Sequence, residues 1–314
     1  MAETGTDISI ARGLLQKGDL VAVPTETVYG LAGNALNVDS VARIFEVKNR
    51  PSFDPLIVHI YDLSQLSKYV MNIPQQAERL AKEFWPGPLT LLLRKRSIIP
   101  DLVTSGLDTV GIRCPKHPMT QNLLKTLDFP LAAPSANPFG FVSPTKASHV
   151  TDQLGSKIKY VLDGGPSVVG IESTIVGFEN NKTIVHRLGG ISVEQIESVV
   201  GDVEVITSPT AMKSPGQLKS HYSPSKKMFV ADLSKAVEMV DLQRVALLSF
   251  KDDYKAPHQV TLSPTGSLPE AAKNLFDALR ILDKMPVDLI IAELVPEEGI
   301  GRAINDRLRR ASAK

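Results

Sequence analysis

A stiff polar turn is encoded by Pro134-Ser135-Ala136-Asn137-Pro138-Phe139-Gly140-Phe141-Val142-Ser143-Pro144-Thr145. The apolar run 129–133 precedes it and predicts a short buried strand. The prolines fix φ and donate no backbone hydrogen bond, while Ser135, Asn137 and Ser143 supply short polar side chains. On local evidence a ligand-binding turn and an ordinary Ser/Pro/Asn loop explain this pattern equally well.

Hydroxyl side chains recur where other predicted strands end. Thr25 and Thr27 directly follow a short apolar strand at 20–23, and capping of the turn is the simpler local explanation of both. Open α/β sheets nevertheless bind their ligands at the ends of strands. The recurring hydroxyls belong to Thr25, Ser52, Thr109, Ser135, Ser143 and Ser173.

Cations recur at the same kind of position. Lys48 and Arg50 follow a helix predicted over 37–48, where the helix dipole and an anionic ligand explain Lys48 equally well. Arg113 and Arg187 each end a predicted strand, and we expect Arg113 to bind a carboxylate through its guanidinium fork. His59 lies inside an apolar run, which is more typical of a core residue. If these ends meet at one sheet edge, they form a pocket for a ligand with phosphates and a carboxylate.

Composition excludes several classes of function. The chain has 314 residues, enough for two domains, and its net charge is only +1 from 35 basic and 34 acidic residues. That balance argues against tight nucleic-acid binding. Cys114 is the only cysteine and the histidines are scattered, so we expect no disulfide and no metal site built from protein side chains. Neither a signal peptide nor a membrane-spanning run is visible, which predicts a cytoplasmic protein without membrane attachment.

Taken together, the motifs resemble the YrdC-type domain of the threonylcarbamoyl-AMP synthase family. The matching segments are PTETVYGL (24–31), KNRP (48–51), PLIVH (55–59), WPGPLT (85–90), VGIR (110–113), PSAN (134–137) and EST (172–174). The sequence contains neither the P-loop pattern nor the Gly-rich Rossmann pattern. The resemblance covers residues 8–200 and implies an α/β fold, a YrdC-like twisted mixed sheet with flanking helices.

A second match lies further along the chain. Residues 214–224, SPGQLKSHYSP, resemble the linker of the family's long two-domain form. The resemblance implies a catalytic domain at 1–206, a linker and lid at 207–225 that closes through Tyr222, and a smaller Rossmann-like α/β domain at 226–314. Leu218 and Ser220 stand where the linker commonly carries basic residues.

The resemblance also implies an activity: L-threonine, bicarbonate and ATP give threonylcarbamoyl-AMP and pyrophosphate. A downstream tRNA threonylcarbamoyltransferase would then modify an adenine beside the anticodon. Mg²⁺ would be carried on the triphosphate, because carboxylates are sparse in the matching motifs. No side-chain nucleophile is implied, since the carbamate of threonine attacks the α-phosphorus. Glu26 and Glu172 are candidates for orienting other groups.

Motif position implies three sets of site residues. The catalytic set is Lys48, Arg50, Ser135 and Asn137. The L-threonine set is Thr25, His59, Arg113, Ala133 and Ser173. The ATP set is Lys48, Ser52, Thr109, Ser135, Ser143, Arg187 and Tyr222.

Two other functions compete with this one. Plain RNA binding predicts an affinity that falls strongly with added salt, but the near-neutral charge and the lack of aromatic clusters disfavour it. Carbamoyl transfer to another amine is the third reading, because YrdC-type domains also occur in hydrogenase-maturation proteins. Those proteins carry acylphosphatase and zinc-finger-like parts that have no counterpart in this sequence.

Overall fold

A computed structural model describes residues 1–206 and 221–313. They form a large mixed sheet and a small parallel sheet, each covered by helices. Most of the predicted lid, with Leu218 and Ser220, therefore lies outside the described residues. No helix in the described ranges is both long and apolar enough to span a membrane.

The large sheet and its helices occupy the first described range. Its strands are β1 (Glu3–Gly5), β2 (Val21–Val23), β3 (Gly30–Asn34), β4 (Ile57–His59), β5 (Leu89–Arg94), β6 (Thr109–Arg113), β7 (Leu131–Ala132), β8 (Tyr160–Leu162), β9 (Thr174–Glu179), β10 (Lys182–Arg187) and β11 (Val203–Val205). Its helices are α1 (Ile8–Gln16), α2 (Val38–Lys48), α3 (Leu66–Tyr69), α4 (Gln75–Phe84), α5 (Asp101–Thr104), α6 (Pro118–Lys125), α7 (Ala147–Leu154) and α8 (Val193–Val200), with a 3-10 turn at Leu63–Gln65.

Local sequence explains where the first helices begin and end. The Asp7 side chain accepts a hydrogen bond from the Ser9 backbone and caps α1. Asn37 caps α2 in the same way. At the other end of α2, Asn49 adopts the left-handed conformation with φ 51°, which turns the chain sharply toward Arg50.

The order of the large sheet places the opening turn near its middle. The strands run β1-β8-β2-β3-β7-β4-β6-β5-β9-β10-β11. Strand β7 pairs antiparallel with both β3 and β4, and β4 pairs parallel with β6 so that His59 lies opposite Arg113. Segments that are distant in sequence therefore lie side by side: β4 and β6 end together at His59 and Arg113, and the turn after β7 begins beside Ile57 at the start of β4.

The small sheet occupies the second described range and is wholly parallel, in the order β12-β15-β13-β14. This confirms the predicted α/β character of the smaller domain. The elements are β12 (Lys227–Val230), α9 (Leu233–Ala236), β13 (Val245–Ser249), β14 (Gln259–Thr261), α10 (Leu268–Lys284), β15 (Leu289–Ala292) and α11 (Gly301–Ala311).

The two parts share an apolar core at their junction. Val28, Val142 and Ile171, from loops beside the large sheet, belong to the same buried cluster as residues of α10 and α11. Gly170, with φ +80°, permits this approach, because a Cβ there would lie 2.4 Å from the Cα of Lys273. The small domain therefore packs directly against loops that border the edge where the strand ends meet.

Candidate active site

A cavity of about 50 Å³ lies where the predicted polar strand ends meet. Thr27, Glu172 and His221 line it, although none of them was in the predicted sets. The predicted residues that line it are Arg50, His59, Arg113, Ala133, Ser135, Ser173, Arg187 and Tyr222. The predicted residues outside its lining are Thr25, Lys48, Ser52, Thr109, Asn137 and Ser143.

Lys48 holds the opening turn from behind. Its ammonium group donates to the backbone carbonyl of Ser135 at 2.6 Å and also to that of Asn137, and the side chain is 1% exposed. Burial, with a smaller contribution from Arg50, lowers the pKa of Lys48 well below its ordinary value. The Asn137 amide donates to the carbonyls of Pro138 and Phe141 and fixes the rest of the turn. Lys48 and Asn137, two of the four predicted catalytic residues, therefore shape the turn, and their part in catalysis stays a prediction.

Arg50 lines the cavity, and neighbouring groups hold its guanidinium in place. It donates to the backbone carbonyls of Asp54 at 2.9 Å and Pro55 at 2.8 Å, and it forms a 2.9 Å ion pair with the Asp54 carboxylate. Burial raises the pKa of Asp54 and lowers that of Arg50. Asp54 was not among the predicted site residues, although a carboxylate four residues after an arginine is a visible signal. Ser52 lies exposed on the intervening loop.

Arg113 faces the cavity beside a carboxylate of its own domain. Its guanidinium forms a 2.6 Å ion pair with Glu26, and both side chains are almost fully buried. The Arg113 Nε makes no hydrogen bond with any described residue. The second Glu26 oxygen accepts from the backbone of Lys116. The predicted orienting role of Glu26 is thus compatible with the geometry, and Arg113 keeps a donor free.

His59 lies next to Arg113 and is held by the backbone. Its Nδ1 lies 3.3 Å from the Ile57 carbonyl oxygen. Burial and the charge of Arg113 lower the pKa of His59 to about 3, so the ring is neutral near pH 7. It therefore combines the features of a core histidine with a place on the cavity wall.

Thr25 uses its hydroxyl inside the turn after β2. The oxygen lies 2.6 Å from the Val28 carbonyl and accepts from the backbone of Thr27 and Val28. This is the capping role that local sequence favoured, and Thr27 rather than Thr25 reaches the cavity.

Ser173 and Arg187 meet through a close approach of two loops. Arg187 donates to the Ser173 carbonyl at 3.0 Å and to its hydroxyl at 3.1 Å, while the hydroxyl lies 2.7 Å from that of Thr90. Gly189 allows this geometry, because a Cβ there would lie 2.4 Å from the Glu172 carbonyl oxygen. Burial lowers the pKa of Arg187.

Glu172 connects the cavity to the small domain. One carboxylate oxygen accepts from the Ser143 hydroxyl at 2.6 Å, and the other lies 3.0 Å from Nε of Arg307 on α11. Arg307 was not among the predicted site residues. A signal was available, because residues 304, 307, 308 and 311 share one face of an amphipathic helix and the others are apolar.

Tyr222 and His221 close the cavity from the linker side. Tyr222 is 1% exposed and has φ 62°, a left-handed conformation that is costly for a tyrosine. The backbone of His221 donates to the Arg310 carbonyl, and that of Ser223 donates to the Gly140 carbonyl. The pair is therefore fixed between the opening turn and α11.

Thr109 lies away from the cavity, at the far end of β6 and opposite Arg94 on β5. It shares a sheet face with Gly111 and Arg113, because side chains alternate along a strand. Its predicted contact with ATP would need a ligand that extends along this face, and it stays a prediction.

The chemistry that the site can perform follows from its donors. The cavity presents three guanidinium groups and two serine hydroxyls, which together suit phosphates and a carboxylate. Burial raises the pKa of the Cys114 thiol to about 11, which makes it a poor nucleophile near pH 7. The parts of the chain that the structure describes contain no group of three or more His, Cys, Asp or Glu placed to hold a metal ion.

Comparisons with known proteins agree with this geometry. Residues 13–189 match the family described as "Telomere recombination", and residues 191–313 match the one described as "Threonylcarbamoyl-AMP synthase, C-terminal domain". Two curated proteins named threonylcarbamoyl-AMP synthase are each 41% identical to this chain. The one from Pyrococcus abyssi aligns over 97% of this chain and 94% of its own length, and the one from Bacillus subtilis over 97% and 92%.

A solved structure extends the likeness to three dimensions. The crystal structure of P. abyssi Sua5 complexed with L-threonine has a TM-score of 0.91 and 40% sequence identity, and the match covers 97% of this chain and 94% of that chain. The full-length HypF structure in a phosphate- and nucleotide-bound form is 23% identical with a TM-score of 0.53, which indicates the fold alone. This chain belongs to the threonylcarbamoyl-AMP synthase family, in the form that carries the C-terminal domain.

Proposed function

We propose that this protein makes threonylcarbamoyl-AMP from L-threonine, bicarbonate and ATP and releases pyrophosphate. The observation that carries the proposal is the convergence of Arg50, Arg113 and Arg187 on one cavity with Ser135 and Ser173. Such a set binds a ligand that combines a carboxylate with phosphates. The names of the nearly full-length relatives support the same reaction.

The threonine end of the cavity is the region around Arg113. Its unused Nε points to a carboxylate partner beyond Glu26, and L-threonine is the ligand of the P. abyssi structure. The neutral His59 ring and Ala133 form the neighbouring wall. Ser173 supplies a hydroxyl on the opposite side, and Thr25 acts by holding the turn that presents Thr27.

The nucleotide end is the region of Arg50, Ser135 and Arg187, which bind the phosphates. Lys48 and Ser143 support this end from behind, and Ser52, Thr109 and Asn137 keep their predicted roles. Ligand pockets usually have volumes of roughly 300–1,000 Å³, whereas the cavity has about 50 Å³. ATP therefore enters only when His221 and Tyr222 move away from the positions that they occupy in this structure. An enclosed site protects the unstable carbamate from water.

Magnesium would arrive on the triphosphate. The cavity carboxylate of Glu172 already accepts from Ser143 and pairs with Arg307, and Glu26 pairs with Arg113. These residues therefore leave no free carboxylate to hold the ion, and the phosphate oxygens would be its ligands. When bound, the ion would neutralise charge on the β- and γ-phosphates.

Positioning and electrostatics would accelerate the reaction. The threonine amine and bicarbonate combine with loss of water to give the carbamate. A carbamate oxygen then bonds to the α-phosphorus as the bond to the β-phosphate oxygen breaks, and pyrophosphate leaves. The cations stabilise the charge that develops on the phosphates, and the fixed ends hold the two reactants in line. A tRNA threonylcarbamoyltransferase would consume the product.

The test is exchange of labelled pyrophosphate into ATP. We expect exchange only when L-threonine and bicarbonate are both present, together with a product of the mass of threonylcarbamoyl-AMP. Exchange that needs a different amine would overturn the substrate assignment. RNA binding that weakens with salt, in the absence of any exchange, would support the nucleic-acid alternative instead.

A further inference from the structure

We propose that Arg307 is a positioning residue of the synthase site, supplied by the C-terminal domain. It neutralises Glu172, so that the phosphates of ATP can bind next to that carboxylate, and it supports Tyr222 over the cavity. The inference rests on the proposed function, because it assigns a role in binding the ATP of that reaction. Arg307 would act through Glu172 and Tyr222 without touching the reacting atoms.

The geometry of the pair formed by Arg307 and Glu172 supports this role. Arg307 is completely buried, and its Nε lies 3.0 Å from one oxygen of Glu172. The other oxygen of Glu172 accepts from the hydroxyl of Ser143. Nη1 of Arg307 lies 2.9 Å from Asp306, its neighbour on α11. A side chain from the last helix therefore ends directly behind a wall of the cavity.

The negative charge of Glu172 also favours this role for Arg307. Glu172 lines the cavity together with Arg187, one of the cations proposed to bind the phosphates. A buried carboxylate without a partner would repel a polyanion there, since charges interact strongly where water is excluded. Arg307 is the described cation in ion-pair contact with Glu172. It changes this part of the wall from a net anion into a neutral pair.

Arg307 also contacts Tyr222, the residue that closes the cavity. The Arg307 Cζ lies 5.2 Å from the centroid of the Tyr222 ring, which is cation–π geometry. Nη2 of Arg307 makes no hydrogen bond with any described residue. Burial alone would lower the pKa of Arg307, but Tyr222, Glu172 and Asp306 together raise it above the ordinary value. The guanidinium thus stays charged under the tyrosine that closes the site.

A purely anchoring role is the alternative, and the same helix offers a matched control. Arg302 also reaches across the junction to a glutamate, Glu194, but both side chains are partly exposed and neither lines the cavity. If Arg307 merely joined the two domains, loss of Arg302 and loss of Arg307 would differ in stability but neither would change ATP affinity selectively.

The experiment measures the Kd of ATP with Mg²⁺ by calorimetry and the KM of L-threonine for full-length variants. We expect Arg307→Met to weaken ATP binding at least about 10-fold, as truncation of one partner of a buried charge pair does. The KM of L-threonine should change less than about threefold. Arg307→Lys keeps the charge and should retain most of the affinity. Arg302→Met should bind ATP like the wild type.

The double variant Glu172→Gln plus Arg307→Met decides between the explanations. It removes both charges, so it should fold even if Arg307→Met alone does not, and it should bind ATP within about threefold of Glu172→Gln. Wild-type ATP affinity in Arg307→Met would overturn the proposal, and so would a loss of 10-fold or more that the double variant does not repair. A wild-type protein that binds ATP but makes no product would instead refute the proposed function and leave this comparison valid.

Discussion

Two buried arginine–glutamate pairs border the same cavity in opposite orientations. In the first pair, Arg113 lines the cavity and forms an ion pair with Glu26, and both residues come from the large-sheet domain. In the second, Glu172 lines the cavity and Arg307 stands behind it, contributed by the small domain.

The orientation determines what each pair can do. The Arg113 pair presents a cation whose Nε makes no hydrogen bond with the residues that the structure describes, so it can hold the carboxylate of a ligand. The Arg307 pair masks an anion, so it permits phosphates to approach. The same kind of ion pair thus binds a ligand in one place and neutralises a carboxylate in the other. Substitutions in the two pairs should therefore affect different substrates.

The largest expected effect is that of Arg113→Ala. Loss of a buried, charge-assisted partner costs about 2–5 kcal/mol, which corresponds to roughly a 30- to 5,000-fold fall in kcat/KM for L-threonine. The ATP Kd should change little, in contrast to Arg307→Met. Steady-state kinetics with each substrate varied separately would check this. Arg43→Ala, at a partly exposed ion pair with Asp19, is the control. Full activity of Arg113→Ala would end the distinction between the two pairs.

The next effect concerns the ring above Arg307. Tyr222→Ala removes the ring that closes the cavity, and we expect synthesis to fall about 10- to 100-fold. Tyr222→Phe should stay within about threefold, because burial, helped by Glu172, raises the pKa of the phenol to about 12 and keeps it neutral. Product formation per ATP consumed is the measurement. Phe229→Ala, at an exposed aromatic residue of the small domain, controls for general loss of packing. Equal losses in Tyr222→Ala and Tyr222→Phe would contradict the closing role of the ring.

A third effect probes the surroundings of Arg113 through pH. The folded protein holds the pKa of His59 at about 3, below its ordinary value of 6.5. Its contribution to stability is therefore complete above pH 6.5 and is lost as the pH falls toward 3, because the unfolded chain takes up a proton that the folded chain does not. Between pH 6 and pH 4, the free energy of unfolding of the wild type should fall faster than that of His59→Gln, by up to about 1.4 kcal/mol per pH unit.

Chemical denaturation at several pH values would measure that difference. His258→Gln, at a histidine of the small domain outside the cavity lining, is the matched control. Parallel slopes for the wild type and His59→Gln would show that the imidazole is not kept neutral beside Arg113.

The smallest expected effect is that of Asp54→Asn. The backbone carbonyls of Asp54 and Pro55 would still orient Arg50, while a buried negative charge near the phosphate end disappears. ATP should therefore bind about two- to threefold more tightly, measured by calorimetry at fixed ionic strength. Weaker binding would mean that the carboxylate, rather than the backbone, positions Arg50.

Sequence reasoning found most of the cavity because strand ends carry a local signal. Short apolar runs followed by Ser or Arg predicted β6, β7 and β10, and polar residues before an apolar run marked β4. Pairing of β4 with β6 places His59 beside Arg113, and antiparallel pairing of β4 with β7 places the turn after Ala132 beside the start of β4. It did not find Asp54 as a partner of Arg50, nor the small-domain side chain behind Glu172. It assigned Lys48 to the ligand, and that role stays a prediction; in the structure the ammonium donates to the carbonyls of the turn.

The sequence by itself determined the family, the α/β character of the two domains and the residue types at the strand ends, since motif order and apolar periodicity are properties of the chain. Only the tertiary structure decided which charged groups face the cavity. Arg113 and Glu26 are 87 residues apart, and Arg307 and Glu172 are 135 apart. No local propensity links such pairs, because they are selected by the packing of whole domains and by the cost of leaving a buried charge without a partner.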